Sequence, residues 1–244
     1  LRPGHADFTA FEKYHGFQDY RGGGHFSGRL TAPIVAAGSI CRQILEAKGV
    51  YIGSHIEQLY TCKDDAFSSD IEVLTQQIQA MNQKEFATLS PDITQAMTQE
   101  IEEAASQGDS LGGILESAIV GLPTGIGEPA FDSVESVLSH LLFSVPAVKG
   151  VSFGLGFGFA QVKGSQANDA FCMKDGNIVT KTNHNAGING GITNGMPIVI
   201  HTVVKPTPSI FKEQDSVDYI KKEDVSLQIQ GRHDPVSYTH LTLP

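Results

Sequence analysis

Val151 to Val162 reads VSFGLGFGFAQV. Val151, Phe153, Leu155, Phe157 and Phe159 alternate with Ser152, Gly154, Gly156 and Gly158. That alternation predicts a strand with one large apolar face and one bare face, because neighbouring side chains of a strand point to opposite sides. A bare face admits a second backbone, or a flat ligand, at close range. Upstream the period is helical. Leu30, Ile34, Ala37, Cys41, Ile44 and Leu45 predict a helix from about Leu30 to Ala47, stopped at Gly49. Ser68 to Glu85 reads as a second helix, with Ile71, Leu74, Ile78 and Met81 on one face. Ser90 and Pro91 are the expected N-cap and first turn of a third, which runs to about Gln107. A strand fits Ile114 to Leu122, and Asp132 to Phe143 is helical again. Downstream, Met196 to Val204 and Asp224 to Ile229 are further strands. Strands in blocks between helix pairs, without a regular βαβ rhythm or an internal repeat, point to an α+β layered fold.

Whole-chain numbers bound what such a fold is for. A chain of 244 residues with 40% apolar content can bury a substantial core. A formal net charge of -10 and a pI of about 5.3 argue against coating nucleic acid or an anionic membrane, and neither partner is expected. No apolar run approaches the roughly 20 residues that cross a bilayer. Cys41, Cys62 and Cys172, an odd number at wide spacing, suggest a reducing compartment without a disulfide framework.

Several chemistries fail on their residues. GLGFGF is not GxGxxG, because Phe159 stands where the third glycine belongs. Lys163-Gly164-Ser165 reverses the order a P-loop needs. None of the nine histidines sits in HExxH or a Cys/His array, so no metal site is expected.

Four clusters carry chemistry instead. RPGHAD places Arg2, His5 and Asp7 around a Pro3-Gly4 turn. Arginine offers a planar fork for phosphate or carboxylate, and histidine exchanges protons near neutral pH. YRGGGHFSGR sets Arg21, His25, Ser27 and Arg29 around three glycines, ahead of a helix, in the manner of an anion site. TNHNAGINGGITNG crowds glycine and asparagine against an apolar strand that leads into KPTPSI. GRHDP, Gly231 to Pro235, is the fourth. Each alone has a bland reading as turn glycines, surface arginines or a satisfied histidine.

In this succession, with GLPTGIGEPAFDSVESVLSHLLFSVPAVKGVSFG and KGSQANDAF between them, the clusters resemble the chorismate synthase family from about Leu1 to Pro235. The resemblance implies an α+β fold, a β-α-β sandwich of antiparallel sheets with helices layered between them. It implies an enzyme, a phosphate lyase. The reaction converts 5-enolpyruvylshikimate 3-phosphate to chorismate and phosphate by 1,4-elimination with reduced FMN, the reductant being NADPH in some members. Flavin contacts would fall on His25, Phe26 and Ser27, on Gln166 and Ala167, on Gly190, on Lys205, Pro206, Thr207, Pro208 and Ser209, and on Arg232. Arg2, Ser27, Arg29 and Arg232 would bind substrate, while His5 and Asp234 would handle protons. The resemblance also implies a homotetramer and a bacterial cytoplasmic protein, with a plastid origin left open. A non-catalytic flavin or phosphate-binding module is the alternative, against which the presence of both His5 and Asp234 argues.

The departures are specific. His25 stands where many members have arginine, which makes local charge pH-dependent. The family's GESHG-type opening, with its second histidine and phosphate-binding arginines, is not in this sequence. After GRHDP the text VSYTHLTLP fits no family pattern. Residues 1–235 are therefore expected to form one incomplete core and residues 236–244 a non-native tail, the 244-residue chain being inactive by itself and poorly soluble.

Overall fold

A computed structural model describes residues 1–19 and 21–229. In chain order the elements are α1 (Asp7–Lys13), α2 (Ala32–Glu46), β1 (Tyr51–Leu59), β2 (Cys62–Lys63), α3 (Ile71–Met81), α4 (Pro91–Ser106) and β3 (Gly113–Val120). There follow α5 (Val134–Ser144), β4 (Val148–Phe153), α6 (Gly164–Ala167), β5 (Phe171–Lys174), β6 (Asn177–Thr180), β7 (Ile188–Asn189) and β8 (Ile192–Thr193). The last are β9 (Ile198–Val204), β10 (Glu213–Asp218) and β11 (Glu223–Gln228), and 3-10 turns cover Arg21–Phe26, Gly28–Thr31 and Gly156–Gln161. One five-stranded sheet in the order β2-β1-β3-β9-β4, antiparallel throughout, forms the centre. Three hairpins, β5–β6, β7–β8 and β10–β11, stand apart from it. The class is α+β, in agreement with the alternation of helix and strand periods in the sequence.

Helices cover the sheet through three apolar clusters. Leu74, Ile78 and Met81 of α3 pack on Ala118 and Val120 of β3. Asp70 starts that helix, its carboxylate accepting from the amides of Glu72 and Val73. Met97 of α4 meets Ile56, Leu59 and Leu115. Ser90 occupies the N-cap of α4 as predicted, yet its side chain makes no cap bond. The Asp64 carboxylate, from another loop, instead anchors the chain as it enters the helix, accepting from Leu89 N and Ser90 N. Val134, Leu138 and Leu142 of α5 lie against Ile188, Ile198 and Ile200. By strand parity α3 and α5 lie on opposite faces, since Ala118 and Ile119, the partner of Ile198, are adjacent in β3.

One expectation needs correction. The alternation in VSFGLGFGF does not build a strand through Phe159: β4 ends at Phe153, and a 3-10 turn takes over from Gly156. Gly154 and Gly156 both adopt φ +53, a left-handed conformation that cannot continue a strand. A second backbone does come close there, for a Cβ on Gly154 would sit 2.0 Å from the carbonyl oxygen of His184. The helix expected from about Leu30 to Ala47 is present as α2, and its apolar stripe lies outside the core. Ile34 is 56% exposed and Ile44 53%, and the helix buries no residue.

Candidate active site

The chain's first turn is the organising feature. Gly4 takes φ +69 and His5 N donates to the carbonyl of Arg2, a reversal that lets Asp7 reach back over the turn. The Asp7 carboxylate accepts from Arg2 N at 2.8 Å, Arg2 Nε at 2.9 Å and Arg2 Nη2 at 2.6 Å. It also lies 2.7 Å from His5 Nδ1. Burial alone would raise this carboxyl's pKa, but the hydrogen bonds and charge of Arg2 overcome that and hold it far below the carboxylate range. His5 is pushed below its ordinary value by burial first and by the Arg2 charge second, against the pull of Asp7.

The glycine-rich turn and the KPTPS segment close around this core. At Gly23, with φ +82, a Cβ would lie 3.7 Å from His5 Nε2 and 3.7 Å from Ser27 Cβ, so the ring's outer nitrogen faces the YRGGGHFSGR loop. On the other side Lys205 Nζ donates to Gly4 O at 2.8 Å, and a Cβ on Gly4 would approach Pro208 to 3.1 Å. Lys205 N in turn donates to Ala147 O at 2.9 Å, and Ser110 Oγ to Thr207 O at 2.7 Å. Pro206 packs on Gly112, where a Cβ would come within 2.9 Å of its Cδ, and Ser209 is buried. Beyond the turn, the Leu1 amino group donates to Val217 O, and Phe11 packs on Tyr219 with ring centroids 4.7 Å apart.

Three cavities border the turn, one of 810 Å³ between it and the β10–β11 hairpin, and two that share Ala6 and Phe26. The smaller of these two, 240 Å³, is lined by Arg2, His5, Asp7, Gln18, Asp19, Gly23 and Tyr219. The larger, 550 Å³, is lined by Gly4, His25, Gly28, Thr207 and Pro208 and by two lysines, Lys149 and Lys205. Burial lowers the pKa of Lys205 and the charge of Lys149 lowers it further. Two ammonium groups on one cavity wall favour an anion between them.

Arg2, His5, His25, Phe26, Ser27, Lys205, Thr207 and Pro208 are thus gathered in one place, with Arg29 exposed in the next turn. Gln166, Ala167 and Gly190 line neither cavity. Gln166 Oε1 accepts from Lys163 N at 3.1 Å and so caps α6, on which Ala167 also lies. Gly190 takes φ +62 in the β7–β8 turn with open space beside it. The rest of that glycine and asparagine loop holds itself together. Asn183 accepts from Gly187 N and donates to Pro197 O, while Asn194 accepts from Met196 N. Asp169 fastens the loop to the KGSQAND segment, accepting from Thr182 Oγ1, His184 N, Asn185 N and Asn185 Nδ2 at 2.6 to 2.8 Å. Arg232, Asp234 and the tail 236–244 lie outside the described residues.

Sequence reading missed Lys149. Its only signal is positional: it sits at the register shift between Val148 and Gly150, a β-bulge, which re-aims a side chain that a regular strand would point elsewhere. A row across the sheet was also missed. His55, Glu116, His201 and Ser152 are register partners on β1, β3, β9 and β4. His55 Nε2 lies 2.7 Å from Glu116 Oε2, and His201 Nδ1 2.7 Å from Glu57 Oε2. No group of three His, Cys, Asp or Glu among the described residues is placed to hold a metal ion, and no helix there is long and apolar enough to cross a membrane.

The fold thus sets a histidine-carboxylate-arginine turn against a glycine-rich loop and a lysine-lined cavity, groups chemically suited to anions and to proton exchange. Comparison with known proteins gives the family. A family model described as chorismate synthase matches residues 1–242. Chorismate synthase of Thermococcus kodakarensis is 44% identical over 235 residues, covering 96% of this chain and 63% of that protein. That of Chitinophaga pinensis is 45% identical over 233 residues, covering 96% and 60%. A crystal structure of a chorismate synthase superimposes with a TM-score of 0.75 at 30% identity, covering 82% of this chain and 62% of that one. The chain belongs to the chorismate synthase family, and it spans just under two thirds of the length of these relatives.

Proposed function

We propose that the protein is a phosphate lyase that converts 5-enolpyruvylshikimate 3-phosphate to chorismate and phosphate by 1,4-elimination, with reduced FMN bound beside the substrate. The observation that carries this reading is the convergence of RPGHAD, the YRGGGHFSGR loop and KPTPS on two adjoining cavities. The residues fit a flavin mononucleotide. A 550 Å³ cavity falls in the range of small-molecule sites, its walls at Gly4 and Gly28 carry no side chain, Phe26 offers an aromatic surface, and Lys149 and Lys205 suit a phosphate. Phe26, His25, Lys205, Thr207 and Pro208 would hold the cofactor, with Ser27, Pro206 and Ser209 supporting them. Gln166, Ala167, Gly190 and Arg232 are assigned to it by family resemblance alone. When bound, reduced flavin supplies electron density to the allylic system of the substrate.

The chain's own groups account for the rest. Arg29 and the remaining Nη1 of Arg2 attract the anionic substrate, since Nε and Nη2 of Arg2 are already engaged by Asp7. Cations near the leaving phosphate stabilise the charge it gains. His5 exchanges a proton through Nε2, the nitrogen that faces Gly23 and Ser27. Asp234 would serve a second proton transfer at the flavin. A homotetramer and a cytoplasmic location belong to the same reading.

The test is anaerobic. FMN reduced with dithionite and 5-enolpyruvylshikimate 3-phosphate are mixed with the 244-residue chain, and with a form extended to the length of its relatives, and chorismate absorbance is followed. Chorismate formation supports the reading, and the difference between the forms measures what the GESHG-type segment adds. Flavin binding without turnover in the extended form would replace it with the non-catalytic binding module.

A further inference from the structure

Asp7 lies in the described residues with no role of its own in the proposed chemistry, yet it is bonded to both groups that have one. Its Oδ1 receives Arg2 Nη2 at 2.6 Å and stands 2.7 Å from His5 Nδ1. A carboxylate held ionised by an arginine can only accept hydrogen bonds. The short contact therefore requires the proton of a neutral His5 to be on Nδ1. Nε2 is left with its lone pair directed toward Gly23 and Ser27, into the 240 Å³ cavity.

We propose that Asp7 is a positioning residue for proton exchange in this site: it locks His5 in the Nδ1–H tautomer, keeps Nε2 open to the cavity, and offsets the imidazolium charge when Nε2 is protonated. The proton balance is simple. Nε2 gains a proton and later gives it up, Nδ1 keeps its own throughout, and the same tautomer returns. His5 can act as a donor only after Nε2 has taken up a proton. Arg2 is part of the device, because its fork fixes the carboxylate in the plane where Oδ1 meets the ring. The other charged or titratable groups around the ring are Asp19 and Tyr219 in the cavity wall, Lys205 from the end of β9, and Glu12, Asp215 and Lys222, which line a further cavity with His5. None of them is recorded in a hydrogen bond to His5. Asp7 alone sets its tautomer among the described residues.

This inference rests on the proposed function only for its catalytic consequence, so the experiment reads both levels. Long-range nitrogen-proton NMR of protein labelled at histidine, with the His5 signals assigned by loss in His5→Gln, reports tautomer and titration directly. The wild type is expected to show Nδ1–H. Asp7→Asn keeps that tautomer, because an amide oxygen still accepts, but titrates lower because the compensating charge is gone. Asp7→Ala shifts the population toward Nε2–H. In the extended form Asp7→Ala lowers kcat by about 100-fold, the lower end of what a positioned proton transfer supplies. Asp7→Asn moves the limb of the pH profile that reports His5 to lower pH. Wild-type His5 in the Nε2–H tautomer, or an unchanged tautomer in Asp7→Ala, overturns the lock. A lock visible by NMR, with wild-type kcat and pH profile in both variants, overturns its catalytic role and leaves the family reaction standing. No turnover by the wild type with the lock intact overturns the reaction instead.

Discussion

Two of the protein's histidine-carboxylate pairs, both made through Nδ1 and of the same length, shift their histidines in opposite directions. His5 Nδ1 is 2.7 Å from Asp7, and His201 Nδ1 is 2.7 Å from Glu57. His5 is pushed below its ordinary value, by burial and then by the Arg2 charge. His201 is raised, by the Glu57 hydrogen bond first, against burial, with Glu116 adding to the pull and Lys63 opposing it. A partner carboxylate at 2.7 Å therefore does not by itself fix the direction of the shift. The balance around it does: at His5 burial and then the Arg2 charge outweigh Asp7, whereas at His201 the Glu57 hydrogen bond outweighs burial, with Glu116 adding to it. The cation-rich turn shifts its ring toward the neutral form; the carboxylate-rich sheet row shifts its ring toward the charged form.

The contrast breaks most visibly in turnover. His5→Gln in the extended form is expected to lower kcat by about 100- to 10,000-fold with an unchanged thermal midpoint, while His201→Gln leaves kcat near wild type. Equal losses in both would end the distinction. The next effect is on stability. Replacing Glu57 by Gln should cost about 1–2 kcal/mol near pH 5.5, read as a shift in the urea midpoint. His201 has a raised folded pKa, so its contribution is fully present below 6.5, its ordinary value, and is lost as pH rises through the folded value. Glu57 is depressed by its bond to His201, against burial, so its contribution is present above 4.5 and lost as pH falls through its folded value. The cost of Glu57→Gln should accordingly shrink toward pH 9, and a pH-independent cost would contradict the assignment. Arg2→Gln sharpens the comparison from the other side. Freed of the guanidinium, His5 should titrate closer to His201 by NMR, and no movement would show that Arg2 is not the deciding charge. The smallest effect is at Lys149. Lys149→Gln should weaken FMN binding by about threefold at low salt, with the difference fading as salt is added; a salt-independent loss would point to packing rather than charge.

Much of this was legible in the sequence, and the exceptions have causes. The helix from Ile71 announces itself through Leu74, Ile78 and Met81, because a helix's own spacing reports its buried face. The same reasoning gave α2 its place but not its environment, since periodicity marks an apolar face without saying what covers it. VSFGLGFGF misled because alternation was read from side chains, while at Gly154 the backbone turns left-handed against the carbonyl of His184, from a segment about thirty residues away. Asp64 as the anchor of the segment entering α4 had no local signal, as it sits 26 residues from the Ser90 amide it accepts from.

For the site the division is similar. The sequence alone determined which chemical groups are available: the RPGHAD turn with its arginine, histidine and aspartate, the three glycines before Ser27, and the KPTPS segment. Composition and spacing also settled what the chain lacks, a P-loop and metal-ligand motifs. Only the tertiary structure decided how those groups are used. It set Pro208 on Gly4 across about two hundred residues, turned His5 Nε2 toward Gly23, and brought Lys149 to Lys205 through a bulge on an edge strand. Residue types are fixed by the chain, but a proton's position and a lysine's charge depend on fields that fall off over a few ångströms, and which charges lie that close is settled by the packing of distant segments.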